Sequence, residues 1–171
     1  MEKENFAIES FKNIQELIRF IDQKSAAVLV IAGLSFTGFI EFAKNLSFVP
    51  MKEADFFGIV CFLSGSITVI SLIAVLWVSI FRVLKPRLAK NYKQDEHSLF
   101  YFEHLSQLGK EQTLVEYQNL NSDLILKNII DQKFEVSKIM EQKTGFLSIS
   151  FNFLFASIIS LIVFILTSIA V

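Results

Sequence analysis

Two stretches of this chain carry no formal charge, and their length dictates much of what the chain can fold into. Between Asp55 and Arg82 lie 26 uncharged residues, and from Thr144 to Val171 there are 28. A helix needs roughly 20 predominantly apolar residues to cross the hydrocarbon of a bilayer. Backbone polar groups at that depth must be satisfied within the segment, so each stretch reads as a spanning helix. A third stretch, SAAVLVIAGLSFTGFI (Ser25–Ile40), has 16 residues between Lys24 and Glu41. It is short, but flanking charges snorkel and a bilayer thins locally. Beside two longer spans it reads as a third.

Composition agrees. The chain is 53% hydrophobic and 19% charged, whereas soluble domains are about 45–50% apolar and about 25% charged. The net charge of −1 gives no overall nucleic-acid footprint. Glu2, Glu4, Glu9, Glu16 and Asp22 precede the first span without a small-residue cleavage site, so no signal peptide is expected. Cys61 is the only cysteine and His97 and His104 the only histidines; no intrachain disulfide or zinc-ligand spacing results. Cys61 reads as a packing residue, and no cofactor or metal is expected.

Loop charge predicts orientation, because cytoplasmic loops carry the excess of Lys and Arg. The segment before the first span has four, the first loop has Lys44 and Lys52, and Arg82 to Lys143 has ten. The N-terminus and the long middle segment are thus expected in the cytoplasm, with the C-terminus outside. The expected fold is an all-α membrane protein: three transmembrane helices with a small helical cytoplasmic domain between spans 2 and 3. Its divisions are 1–24 (amphipathic helix), 25–43 (span 1), 56–84 (span 2), 85–144 (sensor region) and 145–171 (span 3).

Ile8, Phe11, Ile14, Leu17/Ile18 and Ile21 recur at helical steps, and no Pro or Gly separates them from the first span. One long helix or a bend near Asp22 is expected. Pro86 predicts a kink or stop after span 2. Ser98–Leu108 reads as a helix ended by Gly109. Thr113-x-x-Glu116 reads as a capping box. Asn121 or Ser122 caps a longer helix, with Leu126, Ile129/Ile130, Phe134, Val136 and Met140 as its buried stripe. Within the membrane, Gly58, Cys61, Gly65 and Thr68 share one side of span 2. Ser148, Asn152, Ala156 and Ser160 are taken together on span 3. Small residues let helices approach, and a buried Asn can bond across them. Packing within one subunit and assembly between subunits are both open readings.

No Walker loop, G-x-G-x-x-G, G-x-S-x-G, H-E-x-x-H or acidic metal cluster occurs, so no enzyme is expected. The middle segment has binding chemistry instead. In a helix over Ser98–Leu108, Ser98, Tyr101, Phe102, Leu105 and Leu108 form the buried face. Phe100 falls opposite and His104 on the flank. Arg87, Lys90 and Lys93 lie just upstream; Arg grips phosphate bidentately and aromatic faces stack on bases. Against this, juxtamembrane Lys/Arg also serve topology and anionic lipid, and an aromatic stripe at helical spacing is also core.

Three ordered patterns carry a resemblance. They are Asp22-x-Lys24-x-Ala26; Pro86-Arg87-Leu88 followed by Ser98-Leu99-x-Tyr101-Phe102-x-His104-Leu105; and Gln132-x-Phe134-x-x-Ser137-Lys138-Ile139 with Lys143 beyond. Together they resemble the transmembrane effector family of bacterial Pycsar antiphage systems over nearly the whole chain. Glu103 stands where the family pattern has a small residue, and Thr144 where it has an aromatic. A homo-oligomer is expected, because three helices of this length bury little alone, and the resemblance implies an inner-membrane effector. It would sense a cyclic pyrimidine mononucleotide (cCMP or cUMP), impair the membrane and stop the infected cell, without binding DNA or RNA. Laid on the matched positions, Arg87 with Lys138 or Lys143 would neutralise the cyclic phosphate. Phe100 or Tyr101 would stack the base, and Ser98 and His104 would bond ribose or base edges. The rival expectations are a membrane adaptor docking a protein partner, and an effector gated by a cyclic oligonucleotide.

Overall fold

The computed structural model describes residues 2–44, 46, 55–86, 99 and 102–169. Every element among them is helical: α1 (Glu2–Ala43), α2 (Phe56–Val78) continued by a π-helical segment (Ser79–Leu84), α3 (Phe102–Leu108), α4 (Lys110–Gln118) and α5 (Ser122–Ser168). α1, α2 with its π segment, and α5 are each long and apolar enough to cross a membrane. This is the all-α, three-span fold expected above.

Local chemistry sets the helix ends. Asp55 caps α2, its carboxylate accepting from the Gly58 N–H at 2.8 Å, as short acceptors do at N-termini. Asn121 caps α5 the same way, accepting from Leu124 at 2.9 Å. Span 2 stops at Leu84. Lys85, the residue before Pro86, is already extended (φ −57°, ψ 127°), as the proline ring demands of its neighbour. Gly109 turns the chain between α3 and α4 at φ 75°, a left-handed conformation that favours glycine. The capping box expected at Thr113 does not form. α4 opens at Lys110, and the Thr113 hydroxyl donates to the Gly109 carbonyl one turn back at 2.7 Å.

The chain divides into two compact units, and α1 and α5 run unbroken through both. One unit comprises residues 21–85 and 143–171. Here Asp22 meets Lys143 and Phe39 meets Phe164, so α1 and α5 run in the same direction. Ser79 meets Ser150 and Ser160 meets Ser64, so α2 runs against them. Of the small face expected on α2, Cys61, Gly65 and Thr68 are buried and Gly58 is half-buried. Gly65 permits the closest approach: a Cβ there would lie 3.1 Å from the Phe164 ring and 3.5 Å from Phe39. The grouping on α5 is corrected. Ser160 is buried, but Ser148, Asn152 and Ala156 face outward. Steps of four overshoot a turn by about 40° each, so three steps carry Ser160 round by about 120°.

The other unit comprises residues 1–20 and 86–142. Ala7, Leu99, Ile129, Gln132 and Glu135 are its buried residues among those described. The stripe expected on α5 is therefore partly rotated. Ile129 faces inward as expected, whereas Ile130 and Phe134 face solvent at 51% and 55% exposure. The face that turns inward is instead completed by the polar Gln132 and Glu135. The Ser122 hydroxyl donates to the Glu4 carboxylate.

Candidate ligand-sensing site

The residues expected to form a ligand site fall into three groups. Arg87, Ser98, Phe100 and Tyr101 lie outside the described residues. His104 sits half-buried on α3. Lys138 and Lys143 both lie on α5, but in different units and about 140° apart around the helix.

Lys143 is engaged at one end of the spanning unit. Its side chain is 7% exposed, and its ammonium is 2.6 Å from the Asp22 carboxylate. A buried ammonium needs such a partner, so Asp22 and Lys143, drawn from two of the ordered patterns, are explained by each other. One turn beyond Asp22, Ser25 is fully buried and its hydroxyl has no hydrogen-bond partner among the described residues. In the π segment that continues α2, Arg82 lies 5.3 Å over the Phe146 ring.

Lys138 is different. It is accessible, pairs with Glu141 at 3.0 Å, and its ammonium lies 6.0 Å from the centroid of the exposed Phe134 ring. Cation and ring attract at this separation. Ile130, Phe134 and Lys138 thus form an apolar-to-basic strip along one outward face of α5. A flat aromatic surface beside a mobile ammonium can stack a base and neutralise a phosphate. Phe134 escaped sequence reasoning because its spacing also fitted the core stripe. Its place in the pattern with Lys138 was the available signal.

Two hollows complete this unit. Ile8, Phe11, Lys12 and Gln15 of α1 and Ile129 and Gln132 of α5 line a groove of about 220 Å³. A smaller cavity of about 40 Å³ lies among Leu99, Tyr117, Leu120, Ile125 and Asn128. There the Asn128 side chain holds the chain just before α3, its Oδ1 accepting from the Leu99 N–H at 3.3 Å while its Nδ2 donates to the Leu124 carbonyl at 2.9 Å. Among the described residues, no group of three or more His, Cys, Asp or Glu could hold a metal ion. The hydrogen bond from Ser122 holds the Glu4 carboxyl below the usual carboxylate range.

A family model of the Pycsar effector protein domain (PycTM) matches residues 6–170. The Pycsar effector protein TpPycTM of Treponema porcinum is 33% identical over 92 residues, covering 54% of this chain and 74% of that protein. No solved structure matches.

Proposed function

Because the chain belongs to the Pycsar transmembrane effector family, and is therefore a multi-pass bacterial membrane protein of antiphage defence, we propose that it senses a cyclic pyrimidine mononucleotide and answers by impairing the inner membrane. The unit comprising residues 1–20 and 86–142 is the sensor, on the cytoplasmic side, with the C-terminus outside. The loop charges support this orientation. In sequence terms the organisation is 1–24, 25–43, 56–84, 85–144 and 145–171, as set out above.

The observation that carries the ligand reading is the exposed Phe134 ring with the Lys138 ammonium 6.0 Å from its centroid. Phe134 stacks the pyrimidine and Lys138 neutralises the cyclic phosphate, assisted by Arg87. Ser98, Phe100, Tyr101 and His104 supply the remaining contacts. Lys143 is held by Asp22 in the resting protein and reaches the ligand only if that pair opens.

The protein acts as a homo-oligomer. The outward face of α5 that carries Ser148, Asn152 and Ala156 supports this, because a carboxamide facing hydrocarbon needs a partner and small neighbours let a second helix approach. The binding test is calorimetric titration of the full chain with cCMP, cUMP and cyclic dinucleotides. Phe134→Leu and Lys138→Gln should each weaken binding roughly tenfold, or about 1.4 kcal/mol. Unchanged affinity in both variants rejects the site. Heat from a cyclic dinucleotide alone replaces the signal. Dye-loaded vesicles that never leak with any of these nucleotides reject the membrane step.

A further inference from the structure

In the spanning unit, polarity is inverted: apolar side chains face outward and hydroxyls face inward. Trp77, Phe155 and Leu166 are 58%, 68% and 65% exposed, while eight serine and threonine side chains are buried. The pairs between α2 and α5 order these hydroxyls along the helix axes. At one end lies the Asp22–Lys143 ion pair. Next come Ser25 and the Ser79–Ser150 pair, whose hydroxyl oxygens are 2.6 Å apart. Then follows an apolar layer of Val28, Val75 and Leu154, at 1%, 0% and 5% exposure. Beyond it hydroxyls return at Ser71, Ser157, Thr68, Ser64 and Ser160, with Leu72 buried among them and Ser160 donating to the Ser64 carbonyl at 2.7 Å. The Phe39 and Phe164 rings, 4.8 Å apart, lie at the far end.

Small size alone would suit helix packing, but alanine supplies that without a polar atom to satisfy. Several of these hydroxyls are satisfied only by their own helix, as when Thr68 donates to Ser64 and Ser64 to Val60, each at 2.8 Å. Such bonds can be released without breaking a helix. Ser25 lacks even that, being fully buried with no partner among the described residues. Water is one partner able to satisfy such a hydroxyl. Two hydroxyl layers separated by one apolar layer have the form of a constriction that gates by dewetting.

We propose that the interior of the three-helix unit is a latent path for water and protons, interrupted at rest by the Val28–Val75–Leu154 layer. The inference rests on the reading that this protein impairs the membrane, and it names the route. Wetting the apolar layer joins the two hydroxyl layers. Each hydroxyl or water then accepts one proton and passes on another, so no group changes its net charge.

The test uses the full chain in phosphatidylethanolamine–phosphatidylglycerol vesicles holding a pH-sensitive dye, with cCMP or cUMP added outside. Val75→Thr preserves side-chain shape and adds a hydroxyl to the apolar layer. Proton flux without nucleotide should rise roughly tenfold, equivalent to about 1.4 kcal/mol of barrier. Ser79→Ala with Ser150→Ala preserves small size and removes the paired hydroxyls, so nucleotide-triggered flux should fall by a similar factor. If the wild type responds to nucleotide and neither change alters its flux, this route is wrong while the membrane-impairing reading stands. If the wild type never responds, that reading falls, and the leak of Val75→Thr still decides the route. Should Val75→Thr lose its helical circular dichroism, Val28→Thr makes the same test.

Discussion

The Asp22–Lys143 pair gives the sharpest quantitative prediction, because its partners are unequally buried. At 2.6 Å and an effective dielectric near 20, the attraction is about 6 kcal/mol. Desolvation of the two charges takes back several kcal/mol of it. What remains when one partner is removed depends on which charge is stranded. Lys143→Met strands Asp22, whose side chain is 36% exposed and can turn to water. Asp22→Asn strands an ammonium that is only 7% exposed. The expected costs are about 1 kcal/mol for Lys143→Met and about 3 kcal/mol for Asp22→Asn. The double variant should recover most of the larger loss, since it buries no charge. Unfolding in mixed micelles, followed by far-ultraviolet circular dichroism, measures all three, and a double-mutant cycle extracts the coupling. Equal single losses, or a larger loss for Lys143→Met, would refute the reasoning from burial.

Other substitutions probe the helix contacts and ends. Gly65→Ala places a methyl 3.1 Å from the Phe164 ring, and thermal unfolding in detergent should show a loss of about 1 kcal/mol. Asn121→Ala removes the acceptor for the Leu124 N–H; about 1 kcal/mol is expected, with faster amide exchange confined to the first turn of α5. Because the Ser122 hydrogen bond lowers the Glu4 pKa, its stabilisation is full at neutral pH and disappears as pH falls through that lowered value. Ser122→Ala should therefore destabilise at neutral pH and converge with wild type in acid, as unfolding midpoints from about pH 6 to about pH 3 will show.

Two of the spans were legible because absence of charge over more than 20 residues has one cheap solution in a bilayer, and the 16-residue stretch Ser25–Ile40 was read as a third beside them. The stop before Pro86, the turn at Gly109 and the cap at Asn121 were legible because each depends on local stereochemistry. The face of a long helix was harder to read. Phe134 and Ile129 are both apolar, and periodicity alone could not tell which of them faces inward. Ser160 left its expected group through a rotation that accumulates slowly along α5. The pairing of Lys143 was not legible because its partner, Asp22, is 121 residues away in sequence. Of the expected site, Lys138 kept an accessible position, and its aromatic neighbour came from a residue assigned to the core.

The π segment at Ser79–Leu84 gives span 2 one residue more than an α-helix of the same angular course would hold. A π turn accommodates one more residue than an α turn. The Lys85 N–H accordingly reaches back five residues to the Ile80 carbonyl, at 3.0 Å. Removing a single apolar residue here would leave hydropathy almost untouched and the span still long enough to cross. It would restore α spacing and leave the residues on either side in nearly their present angular register. A one-residue deletion within Ser79–Leu84 should therefore be tolerated, whereas the same deletion within Phe56–Val78 turns everything beyond it by about 100°. Where along span 2 a deletion is tolerated is thus a more sensitive probe of how its neighbours read this helix than any scan of side-chain identity.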